Sequence, residues 1–137
     1  YTFSMCYTVI NTTSRTLSYA NAGHPSPLHY RYHTRKLEML ESTCIPLGLM
    51  PDMPFPSGYV KRRQWDPGAV LLFYSDGVTE AVNADDEEFG ELRLHALFTK
   101  HVHKSSDAIK QAILDELTAY CDDAPQKDDI TLVVVQL

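Results

Sequence analysis

Two acidic positions stand where apolar runs meet polar loops. Asp76 follows the run Ala69 to Tyr74 within Ser75-Asp76-Gly77, and Asp128-Asp129 precedes the run Ile130 to Val135. A strand that stops or starts at a carboxylate fixes a hard oxygen ligand in space. Several such carboxylates held together repel one another unless a cation such as Mg2+ or Mn2+ neutralises them. The glycine after Asp76 permits a sharp backbone turn. Taken singly, each aspartate is better explained as turn chemistry, because Asp-Gly is a common turn and aspartate often caps a strand-to-loop junction.

The remaining reactive side chains are less organised. Asn21-Ala22-Gly23-His24-Pro25 reads as a strand-terminal turn, since Asn and Gly tolerate positive φ and Pro stops a strand; His24 is then a turn histidine first and a metal ligand second. His29, His33, His95, His101 and His103 show no ligand spacing and read as surface residues. Asp85-Asp86-Glu87-Glu88 lacks the D-x-D-x-D-G pattern of a calcium loop and reads as a solvated acidic turn. No Ser-His-Asp constellation is present, and Cys44 and Cys121 lack the phosphate loop of a cysteine phosphatase.

The elements that must position the acids are legible from hydrophobic period and turn signals. Phe3 to Ile10 and Thr16 to Ala20 read as a hairpin around Asn11-Thr12-Thr13-Ser14, and Pro27 to Tyr32 with Lys36 to Leu40 as a second one. Thr43 to Ser57, with four prolines and a glycine, predicts a long loop. Tyr59 to Trp65 reads as a strand, Asp66-Pro67-Gly68 as a tight turn, and Ala69 to Tyr74 as a strand buried on both faces. Leu94, Leu97, Phe98 and Val102 form a helical stripe, and a second helix follows the capping cluster Ser105-Ser106-Asp107. Ile130 to Val135 closes the chain as a strand. Strands followed by a block of helices predict an α+β domain, with antiparallel sheets covered by helices.

Composition narrows the function. A chain of 137 residues with 44% hydrophobic and 22% charged residues suits one globular domain. A net charge of -6, with Lys61-Arg62-Arg63 as the basic cluster, disfavours nucleic acid. The longest apolar run falls far short of the ~20 residues that span a bilayer, so no membrane contact is expected of this chain. Cys6, Cys44 and Cys121 form no C-x-x-C pair and suit free thiols in a reducing cytosol, which predicts a cytoplasmic location. Tyr1 is not an initiator methionine and the sequence opens within what reads as a strand, so the natural protein is expected to continue upstream.

The ordered motifs LSYANAGHPSPL, IPLGL, WDPGAVLLFYSDGVTEAVN, FG and KDDITLVVV resemble the bacterial branch of the metal-dependent protein phosphatases, the PPM or 2C-type class. That branch is typified by the sporulation stage II protein E and by phosphatases of sigma-factor partner switching. The resemblance runs from Phe3 to the end and implies an antiparallel β-sandwich flanked by helices, in α-β-β-α layers. It implies that Asp76 and Asp128 are catalytic ligands of Mn2+ or Mg2+, with Asp129 a further metal candidate. Gly23 and Gly77 become structural residues; Glu80 and Asn83 belong to the pattern without an assigned role. His24 stands where the wider class commonly has an aspartate, and PGAV replaces the frequent PGD.

In the family a metal-bridging aspartate lies in a GGD-like motif on an early strand, and this sequence holds no equivalent. Residues 1–137 are therefore expected to be a single partial domain, the C-terminal part, unable to assemble the binuclear centre alone. The implied reaction is metal-assisted, in-line hydrolysis of phosphoserine or phosphothreonine. The implied substrate is a phosphorylated STAS-type anti-anti-sigma protein, under an upstream sensory or receiver region in sigma-factor or stress signalling. The alternative is a non-catalytic regulatory or interaction domain that keeps the phosphatase fold.

Overall fold

The computed structural model of the chain describes residues 3–49 and 58–137. Alternating side chains and local turn chemistry build the first hairpin. Strand β1 (Met5–Asn11) pairs antiparallel with β2 (Thr16–Ala22), in register from Met5↔Ala22 to Asn11↔Thr16. Between them the Asn11 side-chain oxygen accepts the backbone N–H groups of Thr13 (3.0 Å) and Ser14 (2.9 Å), which closes the turn. Strands β3 (Leu28–Arg31) and β4 (Lys36–Met39) form the second predicted hairpin. β5 (Lys61–Gln64) joins β2, giving a three-stranded sheet in the order β1-β2-β5. β6 (Val70–Tyr74) lies between β3 and β7 (Leu132–Gln136) in a four-stranded antiparallel sheet, β4-β3-β6-β7. One helical turn, α1 (Asp76–Thr79), follows β6; α2 (Gly90–His101) and α3 (Ser106–Cys121) come next.

The central strand shows why these layers stack. Val70, Leu72 and Tyr74 of β6 point to one face, where Leu94 and Phe98 of α2 and Ile109, Ile113 and Leu117 of α3 cover them. Leu71, one residue out of phase, packs on the opposite face with Leu17 and Tyr19 of the other sheet and with Trp65 just beyond β5. An apolar strand without polar alternation thus serves two cores at once. The result is the expected α+β architecture, with helices on the four-stranded sheet and that sheet on the three-stranded one. On the outer face of the three-stranded sheet Met5, Tyr7 and Val9 are 44–61% exposed. The second helical layer implied by the resemblance is not found among the described residues.

Ion pairs tie the sheets at one edge. Glu38 of β4 accepts Arg31 Nε at 2.7 Å and Arg63 Nη1 at 2.9 Å, Arg63 coming from the other sheet. The Arg31 hydrogen bond is the main reason the Glu38 carboxyl lies below its ordinary pKa.

Several expectations need correction. His29 is not a surface residue: it is fully buried and shares the inter-sheet face with its β6 partner Leu71. Its position in a strand whose two faces both pack against other layers overrides its polarity. The segment Ser75-Asp76-Gly77 opens a helical turn rather than a loop, and the strand predicted over 59–65 is confined to Lys61–Gln64. Residues 50–57 of the predicted long loop lie outside the described residues. Cys6, Cys44 and Cys121 are half-buried free thiols. Among the described residues no helix is long and apolar enough to cross a membrane.

Neither ring nitrogen of His29 has a hydrogen-bond partner among the described residues, and burial, reinforced by the Arg31 charge, holds its pKa down to about 4. The unfolded chain takes up this proton near pH 6.5, whereas the folded protein refuses it until about pH 4. Stability is therefore fully present above pH 6.5 and falls as the pH drops through that window, by at most ~3 kcal/mol. Urea melts at pH 7.5 and 5 should show the loss in the wild type and a markedly smaller one in His29→Leu.

Candidate metal centre

The two predicted acidic positions meet because β6 and β7 are neighbours. β6 ends at Tyr74 and β7 begins at Leu132, paired with it, so the residues just beyond each end converge. Ser75 staples the junction. Its backbone N–H donates to the Thr131 carbonyl (3.0 Å), its hydroxyl donates to the Asp129 carbonyl (3.2 Å), and it accepts the Thr131 N–H (2.9 Å). Gly77 completes the contact, since a Cβ there would collide with the Asp129 carbonyl oxygen. The requirement at Gly77 is close approach of two backbones rather than a special dihedral.

In α1 the chain turns helically, and the Glu80 N–H caps back to the Asp76 carbonyl at 2.8 Å. Residues four apart across one helical turn share a face. Asp76 and Glu80 therefore point the same way, toward Asp128. Each of the three offers an oxygen, and the three oxygens lie within 4.8 Å of one another, all on exposed residues. Asp128 is oriented locally: its Oδ1 accepts the Asp129 N–H at 2.7 Å, and Gln126 Nε2 donates to its carbonyl at 2.7 Å.

The group fits a hard divalent cation. Around an octahedral Mg2+ or Mn2+ at ~2.1 Å, adjacent oxygens are ~3.0 Å apart and opposite ones ~4.2 Å, so the three exposed side chains need to draw in by about 1–2 Å, within reach of side-chain rotation. Repulsion within the group supports the same reading, because the Asp76 carboxylate, followed by a lesser desolvation effect and by Glu88 and Asp128, raises the Glu80 pKa. Lys127, the nearby ammonium, is taken by Asp86 at 3.0 Å.

The structure brings together Asp76 and Asp128 but adds Glu80, to which the sequence reading gave no role. Its signal was the four-residue spacing from Asp76, visible only once the turn is known to be helical. The Asp129 carboxylate stands outside the group of three oxygens; that residue contributes its backbone to the Ser75 staple. His24 also stands apart, with its N–H held by the Asn21 side chain (2.8 Å) and its ring at 3.1 Å from the Ser4 hydroxyl. Asn21 is a buried clamp, donating to the Leu40 carbonyl (3.0 Å) and accepting through its own carbonyl from Thr43 and Cys44. Gly23, at φ 68, lies where a Cβ would strike the Pro46 ring. These two motifs are thus paired by packing. Asn83 organises the acidic loop, its side-chain oxygen accepting the N–H groups of Asp85 (3.0 Å) and Glu87 (2.9 Å).

Comparison with known proteins agrees with this architecture. The family model described as Stage II sporulation protein E (SpoIIE) matches residues 1–137. The chain is 34% identical over 132 residues to Protein IcfG of Synechocystis, covering 96% of this chain and 20% of that protein. The SiaA-PP2C domain of Pseudomonas aeruginosa superposes with a TM-score of 0.83 at 18% identity, over 98% of this chain and 51% of that one. The SpoIIE phosphatase domain of Bacillus subtilis, from Mn-presoaked crystals, gives 0.70 at 15% identity, over 98% and 56%. The chain thus spans a fifth of the Synechocystis protein and about half of each solved chain.

Gly77→Ala should separate the two strand ends, lowering stability by about 1–3 kcal/mol and weakening Mn2+ binding measured by calorimetry. Ser75→Ala, which removes two hydrogen bonds without a collision, should cost about 1 kcal/mol.

Proposed function

Because the chain belongs to the stage II sporulation protein E family, we propose that it forms part of a metal-dependent protein serine/threonine phosphatase domain, with residues 1–137 a partial domain. The observation that carries this reading is the convergence of Asp76, Glu80 and Asp128 at a junction fixed by Ser75 and Gly77. These carboxylates would hold Mn2+ or Mg2+, one of the two ions of a binuclear centre in the complete domain. Such a cation supplies a water of lowered pKa and neutralises charge on the phosphoryl oxygens.

The chain's own residues do the positioning. Asp76 and Glu80 are presented by one helical turn, and Asp128 by the loop that leads into β7, whose next residue is held by Ser75 and approached by Gly77. Asp129 acts through its carbonyl. The finer reading follows the family resemblance: the substrate is a phosphorylated STAS-type regulatory protein in bacterial sigma-factor or stress signalling. An upstream sensory or receiver region sets activity, and the protein works in the cytoplasm.

The test is Mn2+-dependent phosphate release by the full-length protein from a phosphoserine STAS protein. Asp76→Asn, Asp128→Asn and Glu80→Gln should each lower kcat/KM by more than the roughly 10–100-fold that losing a group orienting a metal ligand costs. Asp129→Asn should cost much less. Equal activity in the first three variants would overturn the ligand assignment; no activity in a folded, full-length protein would favour a regulatory domain instead.

A further inference from the structure

The carboxylate group forms only one end of a larger depression. A cavity of about 900 Å³ extends from Glu80 and Asp128 along the C-terminal half of α3 and under the 122–129 loop. Two cations with their coordinated waters would displace only ~300 Å³ at ~30 Å³ per water, so most of this space lies beyond the metals. Leu114, Thr118 and Cys121, spaced i, i+4 and i+7, put one side of α3 along the wall. Leu114 and Cys121 are half-buried and Thr118 is exposed, whereas the core-facing side of the helix is Ile109, Ile113 and Leu117. The opposite wall includes Pro125 of the loop. This side of α3 therefore carries apolar surface that the core does not use.

The walls are held in place. Asp86 and Lys127, both lining the cavity, join the acidic loop to the 122–129 loop by their 3.0 Å ion pair. The Tyr120 hydroxyl donates to the carbonyls of Glu87 and Glu88, each at 3.1 Å, tying the end of α3 to the same acidic loop. The cavity is thus a groove whose loops are joined to each other and to α3, continuous with Glu80 and Asp128 of the carboxylate group, apolar on its helical wall and acidic at its rim.

We infer that this groove takes the substrate segment flanking the phosphorylated residue, with an apolar side chain of that segment against Leu114, Thr118 and Cys121. The inference rests on the phosphatase reading of the carboxylate group. A phosphoserine bound through a cation held by Asp76, Glu80 and Asp128 would have its chain neighbours at the mouth of the groove, which Glu80 and Asp128 line. The apolar wall favours an aliphatic neighbour there through burial. The rim carboxylates, with Lys127 engaged by Asp86, disfavour an acidic one.

The test uses the Mn2+-loaded full-length protein, short phosphoserine peptides with Leu, Lys or Glu scanned through the flanking positions, and p-nitrophenyl phosphate as a substrate without flanks. At one flanking position kcat/KM for Leu should exceed that for Glu about tenfold or more, the scale of one apolar group's discrimination in a pocket. Leu114→Arg and Thr118→Arg should collapse that ratio; Thr118 is exposed, so its variant reports even if Leu114→Arg folds poorly. Hydrolysis of p-nitrophenyl phosphate without any flanking preference, or with a preference that survives Thr118→Arg, overturns the groove and leaves the phosphatase reading standing. Failure to hydrolyse both kinds of substrate overturns the phosphatase reading, and the groove with it.

Discussion

Where β6 gives way to α1, the Cα of Gly77 lies so close to the Asp129 carbonyl that no side chain fits between them. That approach, with the Ser75 hydroxyl bonded on both sides, joins the end of one strand to the start of its neighbour. Carboxylates on two separate segments become one group only through this junction. The distance between them is set by backbone contact, which is stiffer than any arrangement of long side chains could be. The sheet pairing of Tyr74 with Leu132 brings the strand ends together, and the glycine lets them touch.

The energetics divide between core and site. Stability comes from the two apolar clusters on either face of β6, which account for most of the fully buried side chains. Exposed pairs such as Lys127–Asp86 add little, since such pairs are worth ~0–1 kcal/mol. Their value is geometric, because this pair connects two loops around the groove. The acids at the site oppose one another and so detract from stability in the absence of a cation, as the raised Glu80 pKa indicates. A cation that binds only the folded state would return that energy on binding.

The motif around Asn21 has a different character. Its special residues serve docking: Asn21 holds the chain segment near Leu40 to Cys44, and Gly23 makes room for Pro46. Two sequence patterns that look independent are therefore the two sides of one contact. His24 belongs to that turn and is remote in role from the carboxylate group.

The sequence by itself determined the strand hairpins, the two amphipathic helices, the doubly buried β6 and the positions of Asp76 and Asp128, because each depends on short-range period and turn chemistry. The N-cap at Ser105, whose hydroxyl accepts the Ala108 N–H at 3.2 Å, is of the same kind. Tertiary structure decided what depends on partners far away in the chain. Four-residue α1 is too short to show a hydrophobic stripe, so Glu80 entered the site only when the turn proved helical. His29 looked like a surface residue until both faces of its strand were covered. Asp128 and Asp129 are indistinguishable as residue types. Only the backbone contact with Gly77 and the Ser75 staple give one a carboxylate facing Asp76 and the other a carbonyl holding the junction. Local patterns are written in neighbouring residues, whereas orientation across a sheet is fixed by chains that meet more than fifty residues apart.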